Sequence, residues 1–245
     1  MRLTRVYVES ALAVGTIVTL PADAAAHLLR VLRLEVGNVC VLFNGDGHDY
    51  HARILSTGRR NGSVEVFACA RVDNESPLQI VLLQAVARAD KMDWIIQKAT
   101  ELGVVGVVPV LSERGEVKLD GDRAQARTLH WRNVATSACA QSGRARVPQI
   151  ATPRTLTDAL ETLAPESQRL VMDPTAAVTV RALDPSQLTD LVVAIGPEGG
   201  WSPGDLDQLR GAAFNSLRLG PRVLRTETAG LAIIAALQTH AGDFV

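Results

Sequence analysis

The chain has 245 residues, 47% apolar and 4% aromatic, with a formal net charge of −1. That length can bury a substantial core in one large or two modest domains, and the near-neutral charge excludes a generally basic RNA coat. No apolar run reaches the roughly 18 residues of a membrane span and MRLTRVYVES holds no signal-like stretch, so a cytoplasmic protein without a membrane partner is expected.

Residues 3–72 alternate apolar and polar positions in short segments, predicting strands over 5–8, 17–20, 39–43, 49–55 and 63–70. Asn44-Gly45-Asp46-Gly47 is a hairpin signal, and 58–62 makes another turn. One helix, over 22–32, interrupts the strands. Short strands with regular turns suggest a small barrel. His27 and Arg30, three apart, share a helix face, with Arg33 just beyond. Guanidinium groups of Arg30 and Arg33 suit RNA phosphates; a solvated helix face is the plain alternative. The charge is +2 over 1–72 and −3 over 73–245, the basic excess being all arginine.

The polar, proline-ended stretch 73–77 marks a domain boundary, giving domains 1–72 and 73–245. Strands and helices then alternate, as in a parallel α/β sheet: strand 78–85, helix 90–102, strand 104–111, helix 124–140, a strand near 148–150, helix 155–163 and strand 170–172. Helix 90–102 turns Met92, Ile95, Ile96 and Ala99 inward and is closed by Gly103. Lys91 and Lys98 share a face of it, as solvated surface or as RNA contacts. Gln141, Gly143 and Arg144 follow the long helix, where a C-cap explains the last two. Cys40, Cys69 and Cys139 are far apart and form no C-x-x-C, which argues against a disulfide framework and a metal site.

The rest of the chain is organised around 191–230. A strand over 191–195 runs into Gly196-Pro197-Glu198-Gly199-Gly200, whose glycines leave amide N–H groups bare. Ser202 is the expected N-cap of the next helix, with Pro203 at its first position and Asp205 completing a capping box. A strand over 215–219 ends at Gly220-Pro221; a polar tract over 222–228 leads to an apolar helix over 229–237. Loops at the carboxyl ends of such strands form the ligand crevice of open α/β sheets. Glu198, Arg222, Arg225 and Glu227 bring charge to it. Neither a phosphate-binding P-loop nor a dinucleotide fingerprint is present.

GPEGGWSPGD with LRLGPRVLRTETAG resembles the signature of the RsmE family of SPOUT methyltransferases. Similar segments occur at HLLRVLRLEVGN, LFNGDGHDYHARI, QAVARADKMDWIIQKATELGVVGVVPV and AQSGRARVPQI, so the resemblance spans nearly the whole chain. It implies a PUA-like RNA-binding β-barrel over 1–72 and a C-terminal α/β trefoil-knot domain over 73–245. It implies S-adenosylmethionine-dependent methylation of uracil N3 in 16S ribosomal RNA of the small subunit, no metal, and a homodimer. The donor would be held largely by main-chain groups around Met172, from Gly196 through Pro197, Glu198 and Gly199 to Gly200, and from Leu219 and Gly220 through Leu224 and Arg225 to Thr228. His27, Arg30, Arg33, Gln141, Arg144 and Arg222 would face RNA. Arg225 is expected to be catalytic or substrate-orienting, and Glu198 to shape the loop or help remove the N3 proton. The competing readings are a non-catalytic RNA-binding or ribosome-assembly protein, a related methyltransferase acting on transfer RNA, and a phosphate-binding α/β enzyme, whose ligand Glu198 would repel.

Overall fold

The computed structural model describes residues 3–58, 62–88 and 90–244, apart from the side chains of His27 and Arg30. The chain divides into two compact units, residues 1–75 with 136–147, and residues 76–135 with 148–245.

The first unit contains β1 (Arg5–Tyr7), β2 (Ile17–Thr19), α1 (Ala22–Ala25), β3 (Val39–Phe43), β4 (His48–Thr57) and β5 (Gly62–Arg71). The strands form one sheet in the order β1-β3-β4-β5-β2, with β1 parallel to β3 and the other pairs antiparallel. The expected hairpin at Asn44 joins β3 to β4, and there the Asp46 carboxylate accepts from the Tyr50 hydroxyl at 2.7 Å. Alternate residues of β4 and β5, including Ala52, Ile54, Val64 and Val66, enter a core shared with Leu28 and Leu42. The helix expected over 22–32 is α-helical only to Ala25. A wider π-helical turn, Ala26–Val31, follows, so the i to i+3 face argument does not hold across His27 and Arg30.

The second unit contains β6 (Gln79–Ala85), α2 (Asp90–Glu101), β7 (Gly106–Leu111), α3 (Gly121–Ser142, whose last turns belong to the first unit), β8 (Gln149–Ile150), β9 (Arg154–Thr155), α4 (Leu156–Glu161), β10 (Gln168–Met172), β11 (Asp190–Ile195), α5 (Pro203–Gly211), β12 (Asn215–Leu217) and α6 (Thr226–Ala241). Its strands are all parallel, in the order β12-β10-β11-β6-β7-β8, with β9 beside β7. The central strands are near-continuous apolar runs because helices cover both faces of such a sheet. Gly103 ends α2 with φ +88°, a conformation that strains residues with a side chain.

Helix α6 begins three residues earlier than the apolar pattern suggests, so Thr226 to Thr228 are its first turn rather than loop. Apolarity marks only the part of α6 that is packed over. Ile233, Ile234 and Leu237 are fully buried within the chain, which makes them core.

Candidate active site

Strands β11, β10 and β12 lie side by side and parallel, so the loops leaving their carboxyl ends meet at one edge of the sheet. With the first turn of α6 they enclose a cleft of about 520 Å³. The exit of the glycine loop is fixed by the start of α5. Ser202 Oγ accepts from the Asp205 N–H at 2.9 Å and the Asp205 carboxylate accepts from the Ser202 N–H at 3.2 Å, completing the expected capping box with Pro203 in the first turn of α5.

Most of the residues expected to hold the donor, with Arg222, come together here. Met172 ends β10 at the cleft; Gly196, Pro197, Glu198 and Gly200 line it from the β11 loop; Leu219, Gly220, Arg222, Leu224 and Arg225 line it from the β12 loop. Gly199 and Thr228 do not line it. The Gly199 carbonyl instead accepts from Arg114 Nη1 at 3.2 Å, and the Thr228 N–H is tied to the Arg225 carbonyl at 2.9 Å. Arg225 is the N-cap residue of α6, exposed, and neither it nor Arg222 forms an ion pair among the described residues.

Several residues of the site carry no loop signature. Lys91 lines the cleft, its Nζ 3.3 Å from both Glu198 Oε1 and Glu227 Oε2. Gln84, fully buried at the end of β6, donates to the Thr226 hydroxyl at 2.9 Å, and that hydroxyl donates to the Gly196 carbonyl at 2.6 Å. A glutamine inside an apolar strand was the available signal, since a buried amide needs partners. Trp201, 7% exposed, sets its indole edge against Gly196, where a Cβ would lie 3.2 Å from Cδ1 and 3.3 Å from Nε1.

Burial pushes the Glu198 carboxyl up, but hydrogen bonds from its own N–H, Lys91 and the Arg88 N–H, with the Lys91 charge, outweigh burial and hold it below its ordinary value. Glu198 is therefore an anion and a weak base.

The residues expected to face RNA are dispersed. The side chains of His27 and Arg30 lie outside the described residues. Arg33 is exposed, with φ +53°, and Gln141 is exposed in the last turn of α3. Arg144 is buried, its Nε and Nη2 donating to Glu75 at 3.1 and 2.5 Å, while its carbonyl accepts from Arg5 at 2.9 Å. No metal-binding cluster and no membrane-length apolar helix occur among the described residues.

A family model described as an RNA methyltransferase domain matches residues 74–238, and one described as an RNA methyltransferase PUA domain matches residues 20–67. The ribosomal RNA small subunit methyltransferase E of Aquifex aeolicus is 36% identical over 91% of this chain and 94% of its own. The enzyme of that name from Neisseria gonorrhoeae, solved bound to S-adenosyl methionine, is 38% identical with TM-score 0.92 over the whole of both chains. The chain belongs to the ribosomal RNA small subunit methyltransferase E family. A methyltransferase from Legionella pneumophila, solved with bound cofactor SAM, is also similar, at 35% identity and TM-score 0.95 over the whole of both chains. The likeness to these relatives thus covers the strands and loops that form the cleft.

Proposed function

We propose that this chain methylates N3 of a uridine in 16S ribosomal RNA, with S-adenosylmethionine as methyl donor held in the cleft at the ends of β10, β11 and β12. The observation that carries the reading is the convergence of both glycine loops and the α6 N-terminus on one largely apolar space of about 520 Å³.

The residues present fit an adenosyl ligand. Trp201 Nε1 and Arg218 Nε, both on cleft-lining residues, are buried donors without a hydrogen-bond partner. A Cβ at Gly220 would meet no protein atom within 4 Å, so its main chain is bare toward open space. Met172, Gly196 and Leu219 then offer main-chain groups and apolar surface. When bound, S-adenosylmethionine supplies a methyl group already activated on sulfur.

What remains for the protein is alignment and charge. Positioning contributes much of the acceleration where the transferred group is already activated. Methylation at N3 requires the imide proton to leave and places negative charge on the uracil carbonyl oxygens. Arg225, exposed at the cleft, stabilises that charge, which draws the proton off toward solvent. Glu198, ion-paired and acidified, shapes the loop and orients rather than accepting the proton.

The reading extends to a PUA-like barrel in the first unit, a trefoil knot around the cleft, a homodimer, and work in the cytoplasm on the small ribosomal subunit. Arg225→Ala is expected to leave S-adenosylmethionine affinity in calorimetry nearly unchanged while lowering transfer to 16S RNA about 100-fold. Methylation is located by the primer-extension stop that an N3-methyl group causes. Wild-type protein that binds the donor yet methylates no uridine N3 would sink the reading.

A further inference from the structure

Lys91 stands in the first turn of α2 and touches carboxylates from two other elements, Glu198 in the glycine loop and Glu227 in the first turn of α6, each at 3.3 Å. Both segments line the cleft, the glycine loop through Gly196, Pro197, Glu198 and Gly200 and α6 through Thr226 and Ala229. Without a cation between them, two carboxylates within reach of one ammonium repel each other and drive the segments apart. The Glu227 contact is purely ionic, because its Oε2 makes no hydrogen bond. Glu198 lines the cleft and Glu227 does not.

Neighbouring cations do not substitute for Lys91. Arg88 pairs with Glu116, Arg114 donates to the carbonyls of Gly199 and Trp201, and Arg222 and Arg225 form no ion pair among the described residues.

We propose that Lys91 is a positioning residue: by neutralising Glu198 and Glu227 together it holds the glycine loop at a fixed distance from the N-terminus of α6, in the geometry that accepts the methyl donor. This rests on the donor reading above. It assigns Lys91 neither to RNA contact nor to solvated surface. The Lys91 hydrogen bond and charge, which help hold the Glu198 carboxyl below its ordinary value, agree with it.

The test is a charge-balance rescue, read as S-adenosylmethionine affinity by calorimetry. Lys91→Met should weaken binding at least about tenfold, and adding Glu227→Gln, outside the cleft, should restore it to within about threefold of wild type. A direct contact from Lys91 to the ligand cannot be rescued that way. Loss of affinity that Glu227→Gln fails to restore, or Lys91→Met that binds normally, overturns the proposal. Should Lys91→Met fail to fold, the double variant still decides: folding and binding support charge neutralisation, and failure of either overturns it. Wild-type protein that folds but does not bind the donor overturns the donor reading itself, and this proposal with it.

Discussion

The Thr226 hydroxyl donates to the Gly196 carbonyl at 2.6 Å while accepting from Gln84 at 2.9 Å, so one side chain ties the end of β11 to the start of α6 and to β6. Thr226→Val keeps the shape but leaves one N–H of the buried Gln84 amide, whose other bond goes to the Ala85 carbonyl, and the Gly196 carbonyl unpaired. It is expected to cost about 2 kcal/mol, seen as a lower urea midpoint, with Thr226→Ser close to wild type. An unchanged midpoint for Thr226→Val would show that this junction is held by other contacts.

The glycines of the site should separate by what surrounds them. A Cβ at Gly196 would press on Trp201, 3.2 Å from its Cδ1 and 3.2 Å from its backbone N. Gly196→Ala is therefore expected to lose about 1 to 3 kcal/mol of stability. Gly220→Ala meets no protein atom within 4 Å, so it should leave stability unchanged and weaken S-adenosylmethionine binding. Gly199→Ala, at ordinary contact distance from Arg114 and away from the cleft, should change neither. Unfolding and calorimetry on the three variants check the ordering.

These contrasts show what the sequence could and could not reveal. The glycine loops, the capping box at Ser202 and the order of strands and helices were legible because turn chemistry and apolar runs are local signals. The partnership of Lys91 with Glu198 and Glu227 was not, since it joins residues more than 100 positions apart and nothing in a helix pattern says what faces it. Arg144 misleads for the same reason: an arginine beside a helix end looks available until Glu75 is seen to engage it. The start of α6 was placed late because its first turn is polar, as the N–H groups at a helix start favour.

Acid should act partly through Glu198. Folding lowers its carboxyl below the ordinary 4.5, so its contribution is complete above that value and is lost as pH falls through the lower, folded value. Glu198→Gln is expected to make stability fall less steeply between about pH 5 and pH 3, measured by urea unfolding. Asp46, Asp173 and Asp184, also lowered, contribute to the slope that remains.

The three cysteines should react unequally. Burial pushes the Cys40 thiol up to about 11 and the Cys139 thiol up to about 12, whereas Cys69 is exposed. Because the thiolate is the reactive form, a thiol reagent at about pH 8 should label Cys69 alone in native protein and all three in urea. Rapid native labelling of a second cysteine would contradict the packing of the cores around it.

Arg144→Ala should behave as a stability variant. Removing its guanidinium strands Glu75, while the main-chain contact to Arg5 stays, an expected loss of about 3 kcal/mol. Wild-type stability with weakened binding of 16S RNA would return Arg144 to the RNA-facing set.

The first unit is assembled from residues 1–75 and 136–147. A ribosome making this chain releases the five strands of that sheet early, but Arg144, the partner of Glu75, and Val147, against which Gly45 rests, arrive some 70 residues later. The unit that begins the chain is therefore not finished when its sheet has been made. Its completion waits on synthesis of β6, α2, β7 and the whole of α3, so a chain interrupted at the apparent boundary near residue 75 carries a sheet whose last buttress has not been made.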